Sequence, residues 1–424
     1  MASVNRPLRV ALLSYRSKPH SGGQGVYVRH LSRELAAAGH HVEVFSGQPY
    51  PELDDGPLLR QVPSLDLYRD DDPFRTPKRD EIRDWADALE TVMMWGGAFP
   101  EPLTFSIRAL RALRERPGEF DIVHDNQGLG YGMLGVPRLG LPMVTSVHHP
   151  ITVDKRLDLA AHGWLQRLNK RRWYGFVRMQ GRVARRAGPL ITVSESSRND
   201  ICRDFRIKRS SVHIVPLGVD TRLFRPRDED AGPRVPGRIV TVTSADSPLK
   251  GLPTLLRAVA KLVTERDVHL FVVGTPSAAT RKQAAQLDLA DRVTFASGLP
   301  DETYARLLAS AEIAVIPSLY EGFSLPAVEH MASGTPLIAS RAGALPEVTG
   351  DAAELVTPGD AEELAAALRT LHDDEPVRAG MAERGLARVG ERFAWPAVAQ
   401  ATADEYRNAI ARGALKGPVG RRAC

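Results

Sequence analysis

Two glutamates eight positions apart, Glu321 and Glu329, bracket the segment Gly322–Val328. Carboxylates accept hydrogen bonds from hydroxyls, and backbone N–H groups at a helix start attract phosphate. The preceding run Ile313–Pro317 (IAVIP) reads as a buried parallel strand, which sets Glu321 on the turn after it. Ser324 is placed to cap a helix whose first turn tolerates Pro326, Gly334 to stop that helix, and Pro336–Ser340 to resume as a strand. Glu329 then lies about 7 Å along the helix axis. Gly322, Phe323 and Ser324 would offer their N–H groups between the two carboxylates. A nucleoside diphosphate sugar has that layout: sugar hydroxyls, two phosphates, ribose hydroxyls.

Other polar residues fall where strands end, the position at which α/β sites assemble. Gly22-Gly23-Gln24-Gly25 reads as a loop between strand and helix that could approach a phosphate closely. Val144–Pro150 (VTSVHHP) puts His148 and His149 at a strand end, and Thr243–Gly251 (TSADSPLKG) puts Lys250 on a strand-to-helix loop. The run Asp70-Asp71-Asp72 stands among Arg69, Pro73 and Arg75 and reads as a solvated turn, so no metal is implied. Between His162 and Gly188 there are eight Arg or Lys residues and no acidic one. Leu165, Leu168, Phe176, Met179 and Val183 form a narrow apolar stripe there, the pattern of a surface helix docked on its sheet; such a basic amphipathic helix, bearing Trp164 and Trp173, also suits contact with anionic lipid.

The elements that must hold these residues follow from the apolar pattern. Val10–Tyr15 reads as a strand, Val28, Leu31, Leu35 and Ala38 recur at helical spacing up to Gly39, and His41–Phe45 is the next strand. Apolar runs at Ile122–Val123, Pro142–Val147 and Leu190–Val193 continue a parallel sheet, whereas Asp54–Pro77 reads as an irregular surface loop. A second series begins with Val212–Pro216 and continues through Arg238–Thr243, His269–Gly274 and Arg292–Phe295, alternating with helices. The result is α/β, two doubly wound halves. Residues 1–208 form the first Rossmann-like domain, 209–395 the second, and 396–424 a helix and tail returning to the first.

A chain of 424 residues is long enough for two such cores, and a formal charge of +5 is too small to argue for nucleic acid. Two cysteines, Cys202 and Cys424, suggest neither a disulfide framework nor a metal site. Met1–Arg9 is polar and runs straight into a strand, and no uncharged apolar run reaches the roughly 18 residues of a membrane span. A cytoplasmic protein, peripheral at the inner face of the membrane, is expected.

The string Pro317–Pro336 (PSLYEGFSLPAVEHMASGTP) closely resembles the donor-site signature of the retaining glycosyltransferases of family 4, which have the GT-B fold. The resemblance implies two facing Rossmann-like domains with a closing helix, and transfer of a hexosyl unit from a nucleotide diphosphate sugar to a hydroxyl acceptor, lipid-linked or part of an envelope glycan. It implies retention of configuration, no cofactor and no metal. It assigns Glu321 and His148 to the donor sugar, Lys250 and the loop at Gly23 to the diphosphate, and Glu329 to the ribose. One departure stands out: an Arg normally precedes the Lys by five or six residues, and this chain has Ser244 and Ala245, which leaves Lys250, the 322–324 N–H groups and Arg341 to share the charge. Two rivals follow: a nucleotide-sugar epimerase on the same architecture, or a non-catalytic sugar- or partner-binding descendant.

Overall fold

The computed structural model describes residues 6–18, 23–69, 71–148, 150–152, 155, 156, 159, 163–228, 234–243 and 248–415. The chain divides into two compact units: one holds residues through Val193, Ser197–Val215 and the chain from Val398 onward, the other Ser194–Ser196 and Pro216–Ala397.

The first unit is built on seven strands: β1 (Arg9–Ser14), β2 (His41–Ser46), β3 (Leu58–Gln61), β4 (Ile122–Asn126), β5 (Met143–Ser146), β6 (Leu190–Thr192) and β7 (Val212–Ile214). All pairings are parallel, in the order β3-β2-β1-β4-β5-β6-β7. Two expectations need correction here. Val212–Ile214 does not open the second sheet; it is the far edge of the first, its Val212 opposite Leu190. The stretch Asp54–Pro77 is not wholly irregular, because Leu58–Gln61 pairs with β2 at the other edge. All four of those residues are exposed, so no buried face marks the strand in the sequence.

The second unit has six parallel strands: β8 (Val235–Val242), β9 (His269–Val273), β10 (Val293–Ala296), β11 (Ala311–Ile316), β12 (Leu337–Ser340) and β13 (Ala353–Val356). Their order is β10-β9-β8-β11-β12-β13. Every residue of β11 is buried, as a central strand covered on both faces requires. Burying Ile313, Val315 and Ile316 contributes about 1.5–3 kcal/mol apiece. Helices such as Leu252–Leu262 and Ala361–Asp373 supply the opposing apolar faces of the core.

In each sheet the chain first builds outward in one direction, then returns to the centre and builds the other way. The reversal lies between β1 and β4 in the first sheet and between β8 and β11 in the second. In α/β sheets the carboxyl ends of the strands flanking such a switch point are where ligand sites assemble. The segment 162–188 is two helices, Trp164–Trp173 and Gly175–Ala184, meeting at Tyr174, and not one continuous basic helix. No helix among the described residues is long and apolar enough to cross a membrane.

Candidate functional site

In the second unit the loops after β8 and β11 are stitched together. The Leu319 N–H donates to the Leu249 carbonyl at 2.7 Å. Gly251, in the left-handed region at φ +67°, starts the helix Leu252–Leu262 so close to the other loop that a Cβ there would stand 1.9 Å from the Pro317 oxygen. This backbone contact sets Lys250 against Glu321: Nζ lies 2.9 Å from Oε1, and the Ser318 hydroxyl donates to the same oxygen at 2.7 Å. Both bonds fall on Oε1 of the carboxylate. The Glu321 backbone is held in turn by the Ala344 N–H at 2.9 Å, with Gly343 at φ +54° packed where a Cβ would meet the Glu321 oxygen at 2.2 Å.

The helix Leu325–Ala332 begins as expected, with proline in its first turn, but Ser324 does not cap it. Its backbone is left-handed at φ +86°, and its buried Oγ has no hydrogen-bond partner among the described residues. The first-turn N–H groups are therefore not capped by this side chain. Phe323 is buried edge-on against Phe393, ring centroids 5.7 Å apart, which fixes the short loop carrying Gly322. Glu329, inside the helix, accepts from the Tyr304 hydroxyl at 2.5 Å. Burial pushes its carboxyl up to about 7, the phenol hydrogen bond opposing that rise and the Asp301 charge adding to it. Arg341 takes no part in this cluster; it is exposed and donates to the Leu355 carbonyl at 3.0 Å. Ser244 and Ala245 lie outside the described residues, as do Gly22, Asp70 and His149.

The first unit holds the remaining predicted residues. His148, just past β5, donates from Nε2 to Asn126 Oδ1 at 2.7 Å, and its backbone N–H donates to Gln127 Oε1 at 2.7 Å. Its ring meets Tyr27 edge-on at 4.5 Å. Burial lowers its pKa to about 4, so the ring is neutral near pH 7 and Nδ1, buried without a partner among the described residues, is a hydrogen-bond acceptor. Gly23 opens the helix Gly23–Ala37, so Gly23–Gly25 is a helix start and not the loop expected. A Cβ at Gly23 would meet nothing within 4 Å. Gly25 is the sterically required glycine, since its Cβ would stand 1.9 Å from the Lys18 oxygen. Asp71 and Asp72 are exposed and paired with Arg69.

Sequence reading missed Ser318, Tyr304, Asn126 and Gln127. Asn126 ends β4 and Gln127 follows it, in the polar stretch His124–Gln127 that is wholly buried. Asp125 accepts the Leu129 N–H at 2.8 Å and is pushed up to about 6 by burial, while His124 is held between Ser146 Oγ and the Tyr406 hydroxyl at 2.6 Å each. Buried polar residues at the end of an apolar strand were the available signal.

Comparison with known proteins gives this geometry a lineage. Residues 21–223 match the family described as Glycosyltransferase Family 4, and residues 236–374 match Glycosyl transferases group 1. An MMP alpha-(1->4)-mannosyltransferase of Mycolicibacterium hassiacum is 56% identical over 96% of this chain and 99% of its own. A D-inositol 3-phosphate glycosyltransferase of Streptomyces avermitilis is 31% identical over 96% of this chain and 89% of its own. Among solved structures, a sucrose-phosphate synthase from Thermosynechococcus elongatus superposes with a TM-score of 0.70 at 24% identity, covering 96% of this chain and 100% of that one. Anabaena Alr3699/HepE in complex with UDP and glucose does so at 0.65 and 18%, covering 94% and 99%. With two parallel Rossmann-like sheets and a glycosyltransferase match in each half, the chain belongs to the family 4 glycosyltransferases of GT-B fold, enzymes that transfer a glycosyl unit to an acceptor.

Proposed function

We propose that this enzyme forms α-(1→4) mannosidic bonds, moving a mannosyl unit from GDP-mannose to a hydroxyl of a mannose-containing acceptor, with retention and without a metal ion. The observation that carries this reading is the 56% identity, nearly end to end, with a relative named for that linkage. Retention is the chemical corollary: a nucleoside diphosphate mannose is α-linked, and so is the named product. In this reading the acceptor oxygen attacks the anomeric carbon on the face the diphosphate leaves. The new C–O bond forms as the bond to the β-phosphate oxygen breaks, and the acceptor proton passes to that phosphate. No enzyme nucleophile is required. Lys250 and the N–H groups of Gly322–Ser324 steady the departing charge. Glu321 accepts from sugar hydroxyls, and Glu329 accepts from the ribose.

Incubating the purified enzyme with GDP-mannose and a short α-(1→4) mannoside should yield a product one mannose longer whose new linkage is α-(1→4) by NMR. A β-linked product, or epimerised nucleotide sugar released without acceptor, would refute the reading. Association with the inner face of a membrane, in the same reading, falls to the exposed Arg171, Arg172, Arg178 and Arg186. Trp173 is not an available anchor, since it packs against Tyr68, Phe74 and Phe99. Co-sedimentation should therefore occur with anionic vesicles and vanish at high salt; equal binding to neutral vesicles would contradict an electrostatic contact.

A further inference from the structure

Glu329 is not positioned by its own helix alone. Tyr304 sits in the preceding helix, Asp301–Ser310, and its hydroxyl reaches Glu329 Oε2 at 2.5 Å. The tyrosine ring is itself locked: it stands edge-on to buried Phe224, centroids 5.6 Å apart and planes at 83°. Phe224 is held by its N–H bond to the Asp220 carbonyl at 2.8 Å. Burial and the neighbouring Glu329 charge keep the phenol far from ionising, so it acts toward the carboxylate only as a donor. A chain therefore runs from the backbone at Asp220 through two aromatic rings to one oxygen of Glu329. Occupying Oε2 fixes the carboxylate plane and leaves Oε1 to accept from a ligand hydroxyl. A glutamate without that bond would spread over several rotamers and lose that freedom only on binding.

We propose that Tyr304 is a positioning residue for donor recognition, orienting Glu329 so that the enzyme distinguishes a ribose from a sugar lacking its hydroxyls. This rests on the assignment of Glu329 to the ribose made under the proposed function. No chemistry passes through the phenol, so its effect falls on nucleotide binding rather than on the transfer step.

The test compares Tyr304→Phe and Glu329→Gln with the unmodified enzyme by calorimetric binding of GDP and 2′,3′-dideoxy-GDP, with UDP and its dideoxy analogue run alongside to cover the base. Phenylalanine keeps the ring packing on Phe224, and a melting curve verifies that each variant is folded. Tyr304→Phe should weaken binding of the ribonucleotide about tenfold, the scale of one hydrogen bond to a charged group. The dideoxynucleotide should be unaffected, and kcat at saturating donor should stay within about twofold of the unmodified enzyme. Unchanged ribonucleotide affinity would overturn the proposal, as would equal weakening of both nucleotides, the mark of a purely structural role. If Glu329→Gln weakens the ribonucleotide while Tyr304→Phe does not, Tyr304 loses its role and the ribose assignment stands. If neither variant discriminates, the ribose assignment fails and takes this proposal with it.

Discussion

Replacing Lys250 by methionine is expected to lower kcat roughly 10²–10³-fold, about 3–4 kcal/mol of transition-state stabilisation. As the diphosphate departs it gains negative charge, and a fixed cation whose field meets little solvent is worth most at that moment. Arg341 is exposed and donates to the Leu355 carbonyl, and among the described residues it makes no bond to Lys250 or Glu321. Before donor arrives, Lys250 is paired with Glu321 at 2.9 Å. Methionine keeps the stem and removes the charge, which leaves Glu321 with the Ser318 hydroxyl as its remaining donor at this oxygen. Steady-state kinetics at saturating donor, beside a melting curve, separate the two consequences. A folded variant retaining more than a tenth of the original kcat would remove Lys250 from the leaving-group site.

Gly251→Ala should cost more stability than an ordinary surface substitution, about 3–5 kcal/mol. Two effects add. The residue occupies φ +67°, where an L side chain is strained by about 1–2 kcal/mol, and its Cβ would overlap the Pro317 oxygen at 1.9 Å, a backbone atom that cannot rotate aside. Because that contact also registers the Lys250 loop against the Glu321 loop, activity should fall with stability. Gly298→Ala separates the two contributions, since Gly298 lies in the same unit at φ +66° with nothing within 4 Å of its missing Cβ. Its cost should be limited to about 1–2 kcal/mol. Equal losses in denaturant unfolding for the two variants would show that the close approach at Gly251 carries no weight.

The legible part of this protein was the part dominated by burial. Ile313–Pro317 is so continuously apolar that only a covered central strand suits it, and from that strand the positions of Glu321 and the following helix came almost automatically. Lys250 and His148 were likewise found where strands end. Edges escaped the reading. Leu58–Gln61 buries no face, and Val212–Ile214 is an edge strand of three residues whose sequence cannot say which sheet it joins. Ser324 was misread because its residue type favours capping while its backbone, at φ +86°, rules the capping geometry out. Tyr304 could not be tied to Glu329 in advance, for the bond joins two helices 25 residues apart and follows no periodicity. The basic stretch 162–188 looked continuous because charge pattern does not register the break at Tyr174.

The last helix, Trp395–Leu415, contributes Tyr406 to the interior of the first unit, where it completes the hydrogen-bonded line from His124 to Ser146. Yet residues 216–397 are translated between the two parts of that unit. At about 5–20 residues per second, the ribosome needs roughly ten to forty seconds to cover that interval. Throughout it the His124 ring waits without its phenolic partner, so the domain begun first in synthesis is the one finished last.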